Sequence, residues 1–190
     1  MDLVGSRDLV GLVLAAGAGR RAGGPKALRR DAGGVPWVER AVERLRAVGC
    51  GRVLVVLGAE AGRARLLVPP SADVVVAAEW ETGLSASLRA GLAAAEGVAA
   101  LVALVDLPEE PPSVGARLLV EAPVAPDVLA RAVFRGRPGH PVLLGRDHWP
   151  ELLEGVHGDS GARDLLRARG ALGVECGDLW SGADRDGRPH

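Results

Sequence analysis

Apolar residues fall along this chain in short blocks of two kinds, and the two kinds alternate. Residues 9–14, 52–57, 74–77 and 99–105 are nearly unbroken apolar runs, the pattern of strands buried on both faces. Between them apolar positions recur every three or four residues, as in Val38, Val42 and Leu45 and again in Leu84, Leu88 and Leu92. That spacing predicts helices with one apolar stripe, the second over about residues 85–96. Pro36 stands where the first of these helices begins and Gly49 just past its end. A short helix over 60–67 is stopped by Pro69 and Pro70, and another is expected over 114–121. Residues 128–134, 138–144 and 172–175 read as strands, and residues 147–154 and 160–169 as helices. The tail after Gly182 is polar and irregular.

Strands that alternate with helices and are apolar throughout specify an α/β fold with a mainly parallel central sheet covered on both faces. The connections are expected to be right-handed crossovers. With 190 residues, no internal repeat and no linker, residues 1–190 are expected to form a single domain. A formal net charge of -1 gives no electrostatic case for nucleic acid or an anionic membrane as partner. No run reaches the roughly 18 apolar residues of a membrane helix, and no basic stretch precedes a long apolar one, so a cytoplasmic location is expected. Cys50 and Cys176 lack metal-like spacing and read as core thiols of a reducing compartment.

Composition sharpens one position. The chain has no Asn, Gln, Ile or Tyr, and its 23 basic residues include one lysine, Lys26. Pressure that converts Lys to Arg spares a lysine only by chance or where a compact point charge is needed, as at a phosphate. Lys26 lies in LAAGAGRRAGGPKAL, residues 14–28, directly after the first predicted strand. In such sheets ligands sit at the carboxyl ends of strands. Gly17, Gly19, Gly23 and Gly24 let the backbone approach a ligand and turn its N–H groups inward, and Arg20, Arg21 and Lys26 add positive charge. The loop is built for a polyphosphate. A Walker-A reading fails because Ala27 follows Lys26. Gly17, Gly19 and Ala22 give the dinucleotide pattern G-x-G-x-x-A, but that pattern requires a helix opening directly at the loop, and Gly23, Gly24 and Pro25 extend the loop instead.

The same loop resembles the L-A-A-G-x-x-x-R-x-G-x-x-K signature of the MobA-like NTP transferases, through Leu14, Ala15, Ala16, Gly17, Arg21, Gly23 and Lys26. AEWETGLSASLRAGL (residues 78–92) resembles the family's W-x-x-G-x-x-x-S-L-x-x-G-L segment, and VALVDLPEEPP (102–112) its strand ending in D-x-P. The segment GRPGHPVLLGRDHWPELLEGVHGDSGARDLL (136–166) is similar to the G-H-P-V-L and G-D-x-G-A-R stretches of the molybdenum cofactor cytidylyltransferase branch. The resemblance spans nearly the whole chain. It implies a Rossmann-like three-layer sandwich of the nucleotide-diphospho-sugar transferase type.

It also implies a reaction. A nucleoside monophosphate, CMP from CTP, passes to a molybdopterin-type phosphate acceptor with release of pyrophosphate, and a molybdoenzyme is the implied receiver of the product. Ala16 favours CTP, because guanylyltransferases of the family tend to carry Gly there. Leu14, Ala15, Ala16, Gly17, Gly19, Arg21 and Lys26 are the implied nucleotide contacts, joined by Ser85 and Ser87, which otherwise cap the following helix. Arg21, Lys26 and Asp106 are the implied catalytic set, with Asp106, Asp184 and Asp186 holding Mg²⁺ or Mn²⁺. The alternative for Asp106 is an acidic cap on its loop, and Glu109 and Glu110 read as solvated loop charges. His140, Asp159 and Arg163 are implied to face the acceptor; a structural turn and a helix cap are the other roles for His140 and Asp159. The tail ADRDGRPH departs from the family's D-I-D-T-P-E-D, which leaves the second metal carboxylate open. The same fold acting on another NTP or acceptor, such as GTP or a sugar phosphate, and a non-catalytic nucleotide- or cofactor-binding module are the competing readings.

Overall fold

The computed structural model describes residues 8–20, 23–155 and 162–183. Its centre is strand β1 (Leu9–Ala15), whose seven residues are all buried. β2 (Arg52–Leu57) and β4 (Ala99–Leu104) pair with β1 on either side, both parallel to it. The full sheet has seven strands in the order β3-β2-β1-β4-β6-β5-β7, where β3 is Asp73–Val76, β5 Leu129–Phe134, β6 Arg137–Gly145 and β7 Leu172–Glu175. Only β6 runs against its neighbours β4 and β5; the remaining described pairings are parallel. The expected mainly parallel sheet and its helical cover are therefore observed.

The apolar alternation of the sheet feeds two cores. On one face Val13, Val55, Leu101 and Leu143 pack with α1 (Trp37–Ala47) and α4 (Pro112–Glu121). On the other, Leu12, Leu54, Val102 and Leu144 pack with α3 (Leu84–Ala93), α5 (Trp149–Gly155) and α6 (Arg163–Ala168). Each fully buried Leu contributes roughly 1.5–3 kcal/mol relative to exposure. A four-residue helix, α2 (Ala61–Ala64), and a 3-10 turn, Arg65–Leu67, fill the span expected to hold one short helix.

Two expectations are corrected. The strands are not apolar throughout: β3 has no buried residue, β7 has one, and β5 alternates half-buried with buried positions. The outer strands have no sheet neighbour on one side, and β5 is covered fully on one face only, which leaves room for Arg131 in its middle. The link from β5 to β6 is not a crossover but a tight hairpin through Arg135 and Gly136, with φ of 52° and 77°. Left-handed conformations at both turn residues match the twist of an antiparallel pair.

The chain visits β1, β2 and β3 outward on one side and then returns to place β4 on the other side of β1. That reversal opens a crevice beyond the carboxyl ends of β1 and β4. Its rear wall depends on Gly58. A Cβ there would lie 2.5 Å from the Trp80 side chain and 2.7 Å from the Ala16 carbonyl oxygen, while the next amide, of Ala59, donates to that same carbonyl at 2.9 Å. Gly58→Ala is expected to cost about 1–3 kcal/mol, read from urea unfolding; an unchanged midpoint would show that Trp80 can retreat freely.

Candidate nucleotide and acceptor site

The loop leaving β1 closes on itself. The Gly24 amide donates to the Gly19 carbonyl at 3.1 Å. Gly19 has φ of 57°, and a Cβ on it would stand 2.0 Å from the Gly24 carbonyl oxygen, so no other residue fits. Gly17 differs: it is exposed, and a Cβ would meet nothing. Its side faces open space, where a ligand rather than the protein would approach. Leu14, Ala15 and Ala16 are buried, so any contact they make with a nucleotide is through backbone, apart from Leu14, which also lines a cavity.

The chain then enters a 3-10 turn at Lys26–Leu28. It carries Lys26 across the crevice, where Nζ donates to Asp106 Oδ2 at 3.0 Å. Both side chains are 18% exposed, so the pair is screened less than a surface ion pair. Asp106 lies just beyond the carboxyl end of β4, beside β1. Its other oxygen, Oδ1, is buried and accepts no hydrogen bond from a described residue. A buried carboxylate oxygen with no donor is suited to a cation. No group of three or more potential metal ligands occurs among the described residues. Asp106 is thus one carboxylate of the kind Mg²⁺ or Mn²⁺ takes beside phosphate oxygens.

Asp106 is held in place by a residue that sequence reasoning missed. Arg44, on α1, is 5% exposed. Its Nη1 donates to the Leu107 carbonyl at 2.8 Å and its Nη2 to the Leu104 carbonyl at 3.4 Å. Its Nε lies 3.4 Å from Glu110 Oε1. One guanidinium therefore grips the chain on both sides of Asp106. The signal was present, since Arg44 continues the stripe Trp37, Ala41 at helical spacing. Glu110 is correspondingly not a solvated loop charge: its side chain is 1% exposed. It is buried because it is the counter-ion of Arg44.

Ser85 and Ser87 are buried, at 0% and 4% exposure. The residue capping α3 is Gly83 and no side chain caps the helix, so the capping alternative is not realised. Ser85 Oγ has no hydrogen-bond partner among the described residues.

A cavity of about 180 Å³ opens on the α3 and α6 side of the sheet. It is of the order that admits a small ring system. Leu14, Val102, Val142 and Leu144 form its floor, and His140, Arg163 and Arg131 bring nitrogen to it. His140 sits in β6, not in a turn. Because β6 runs against β4 with Val102 opposite Val142, position 140 points back towards the carboxyl end of β4, the edge where Asp106 stands. Two of the expected acceptor residues thus share one cavity. Arg131 was missed, although a lone charge alternating with the buried Ala130 and Ala132 marks it. Arg21, Asp159, Asp184 and Asp186 lie outside the described residues.

A crevice at a strand-order reversal, a glycine-closed loop and a carboxylate at the next strand end are the features of a nucleotide-binding α/β protein. A profile of the MobA-like NTP transferase domain matches residues 11–173, and the chain belongs to that family. It is 38% identical over 199 residues, 96% of each chain, to a protein named nicotine blue oxidoreductase from Paenarthrobacter nicotinovorans. It is 34% identical over 104 residues to the probable molybdenum cofactor guanylyltransferase of Rhodopirellula baltica, covering 53% of this chain and 49% of that one. Among solved structures it is similar to Rv0371c of Mycobacterium tuberculosis in complex with manganese, with a TM-score of 0.70, 25% identity and coverage of 89% and 87%. No helix among the described residues is long and apolar enough to cross a membrane.

Burial pushes the Glu110 carboxyl up from 4.5 to about 7, against the pull of Arg44. Arg44 stabilises the ionised form, yet folding on balance raises the proton affinity of Glu110. The stability it contributes is full below about pH 4.5 and is lost as pH rises through about 7, up to about 3 kcal/mol. Glu110→Gln is expected to flatten the dependence of melting temperature on pH across that window. An equally steep profile in the variant would show that Glu110 is ionised throughout.

Proposed function

We propose that this protein transfers CMP from CTP to a small phosphorylated acceptor of pterin type, releasing pyrophosphate. The observation that carries the reading is the contact of Lys26 with Asp106 at the crevice, beside a cavity lined by His140 and Arg163. The loop amides, Lys26 and Arg21 would hold the triphosphate. Asp106 would hold Mg²⁺ or Mn²⁺, with Asp184 or Asp186 as a second carboxylate; the ion would offset phosphate charge. An oxygen of the acceptor phosphate attacks the α-phosphorus, the bond to the bridging oxygen breaks, and the electron pair leaves with pyrophosphate. The acceptor oxygen is already anionic, so the residues position and stabilise charge and no general base is needed. CTP rests on Ala16, and the guanylyltransferase relative makes GTP the direct competitor. The product's onward partner would be a molybdoenzyme in the cytoplasm.

A second reading is favoured by one observation, the full-length relative named as an oxidoreductase. A nicotinamide dinucleotide would then occupy the same loop. The geometry argues against the usual mode, because the loop leads into a 3-10 turn and α1 begins only at Trp37. Among the described residues, no α-helix opens directly at the end of the loop as the dinucleotide fingerprint requires.

Pyrophosphate release from CTP and from GTP with a phosphorylated pterin acceptor, measured beside NADH and NADPH oxidation with redox dyes, separates these readings. Release with CTP supports the proposal. Release with GTP alone reassigns the nucleotide, and cofactor oxidation without release favours the redox reading. Lys26→Ala is expected to lower kcat/KM for CTP by about 100-fold or more; full turnover would remove Lys26 from the mechanism.

A further inference from the structure

Among the described residues, the cavity between α3 and α6 carries an unbalanced positive charge. Its floor of Leu14, Val102, Val142 and Leu144 is apolar, and Leu88 and Leu166 cover it. Arg131, His140 and Arg163 supply nitrogen, and no Asp or Glu is among the described lining residues. Arg131 arises from the middle of β5, opposite Val142, and is half-buried. No side-chain hydrogen bond or ion pair joins Arg131 or Arg163 to another described residue.

The contrast with Arg44 is informative. That arginine is also withdrawn from water, and its charge is met by Glu110 and its N–H groups by two carbonyls. A partly desolvated guanidinium without such partners is costly unless something else supplies the negative charge. Because Arg131 is mounted on a paired strand, its position is set before any ligand arrives. Its planar fork matches a phosphate or carboxylate through two parallel hydrogen bonds.

We infer that the cavity binds a flat ring carrying an anionic group, and that Arg131 is the residue that selects the anion. Arg163, exposed on α6, acts at the rim. The inference rests on the assignment of this cavity to the acceptor and adds the residue that selects its anion.

Calorimetric titration with 1-naphthyl phosphate, 1-naphthoate and 1-naphthol, without nucleotide, tests it. The two anions are expected to bind more tightly than the naphthol, and comparing them tells whether phosphate or carboxylate is preferred. Arg131→Gln is expected to weaken the preferred anion by roughly 10- to 100-fold while leaving naphthol unchanged. Arg131→Lys, which keeps the charge but loses the fork, should fall between. Unchanged melting curves should confirm that each variant is folded. Equal affinity for naphthol or an Arg131→Gln variant that binds as before would overturn the inference. Arg131-dependent binding in a protein that releases no pyrophosphate would retain it and reject nucleotidyl transfer.

Discussion

The strand Leu9–Ala15 has no free side. Helices cover both of its faces and parallel strands flank both of its edges. Backbone polar groups in such a strand are satisfied by the ladder, so the chain can expose unpaired amides only where it leaves the sheet. It leaves the sheet at the carboxyl end, where Ala99–Leu104 also stops. The glycine loop, Lys26 and Asp106 meet there as a consequence of that burial. The reversed direction of Arg137–Gly145 then carries His140 to the same edge, so a cavity lined by the later part of the chain abuts a loop from its beginning.

Charge in this site is handled in three ways. Lys26 and Asp106 neutralise each other at the mouth of the crevice, mostly withdrawn from water. Arg44 and Glu110 are deep, and their cost of desolvation is offset by a rigid grip on the segment that bears Asp106. Arg131 is intermediate in depth and has no counter-charge among the described residues. The first arrangement can be exchanged for a ligand's charge, the second cannot without disturbing the fold, and the third awaits one.

Much of this was legible in the chain itself. The β1 run, the span 52–57, the last strand at 172–175 and the loop chemistry follow from local pattern and from residues whose types are chemically constrained. What escaped depended on distant partners. Glu110 reads as a solvated acid because nothing near it in sequence announces Arg44, more than sixty positions earlier. Arg131 reads as an ordinary exposed position of a strand, because the alternation of burial is visible and the cavity beside it is not. The serines were ambiguous for a different reason: a hydroxyl near a helix start serves capping or ligand binding equally well until the capping residue is seen to be Gly83. The hairpin at Arg135 and Gly136 was missed because an arginine gives little warning of a left-handed backbone.

The solitary lysine has a practical consequence. Apart from a chain terminus, Lys26 carries the molecule's one primary amine, and that amine sits in the crevice within hydrogen-bonding distance of a carboxylate. Amine-directed reagents, which label most proteins at many positions, are confined here to a single side chain at the place where a polyphosphate would rest. The protein thus carries its own site-specific chemical handle, and protection of that handle from acylation reports occupancy of the crevice without any engineered label.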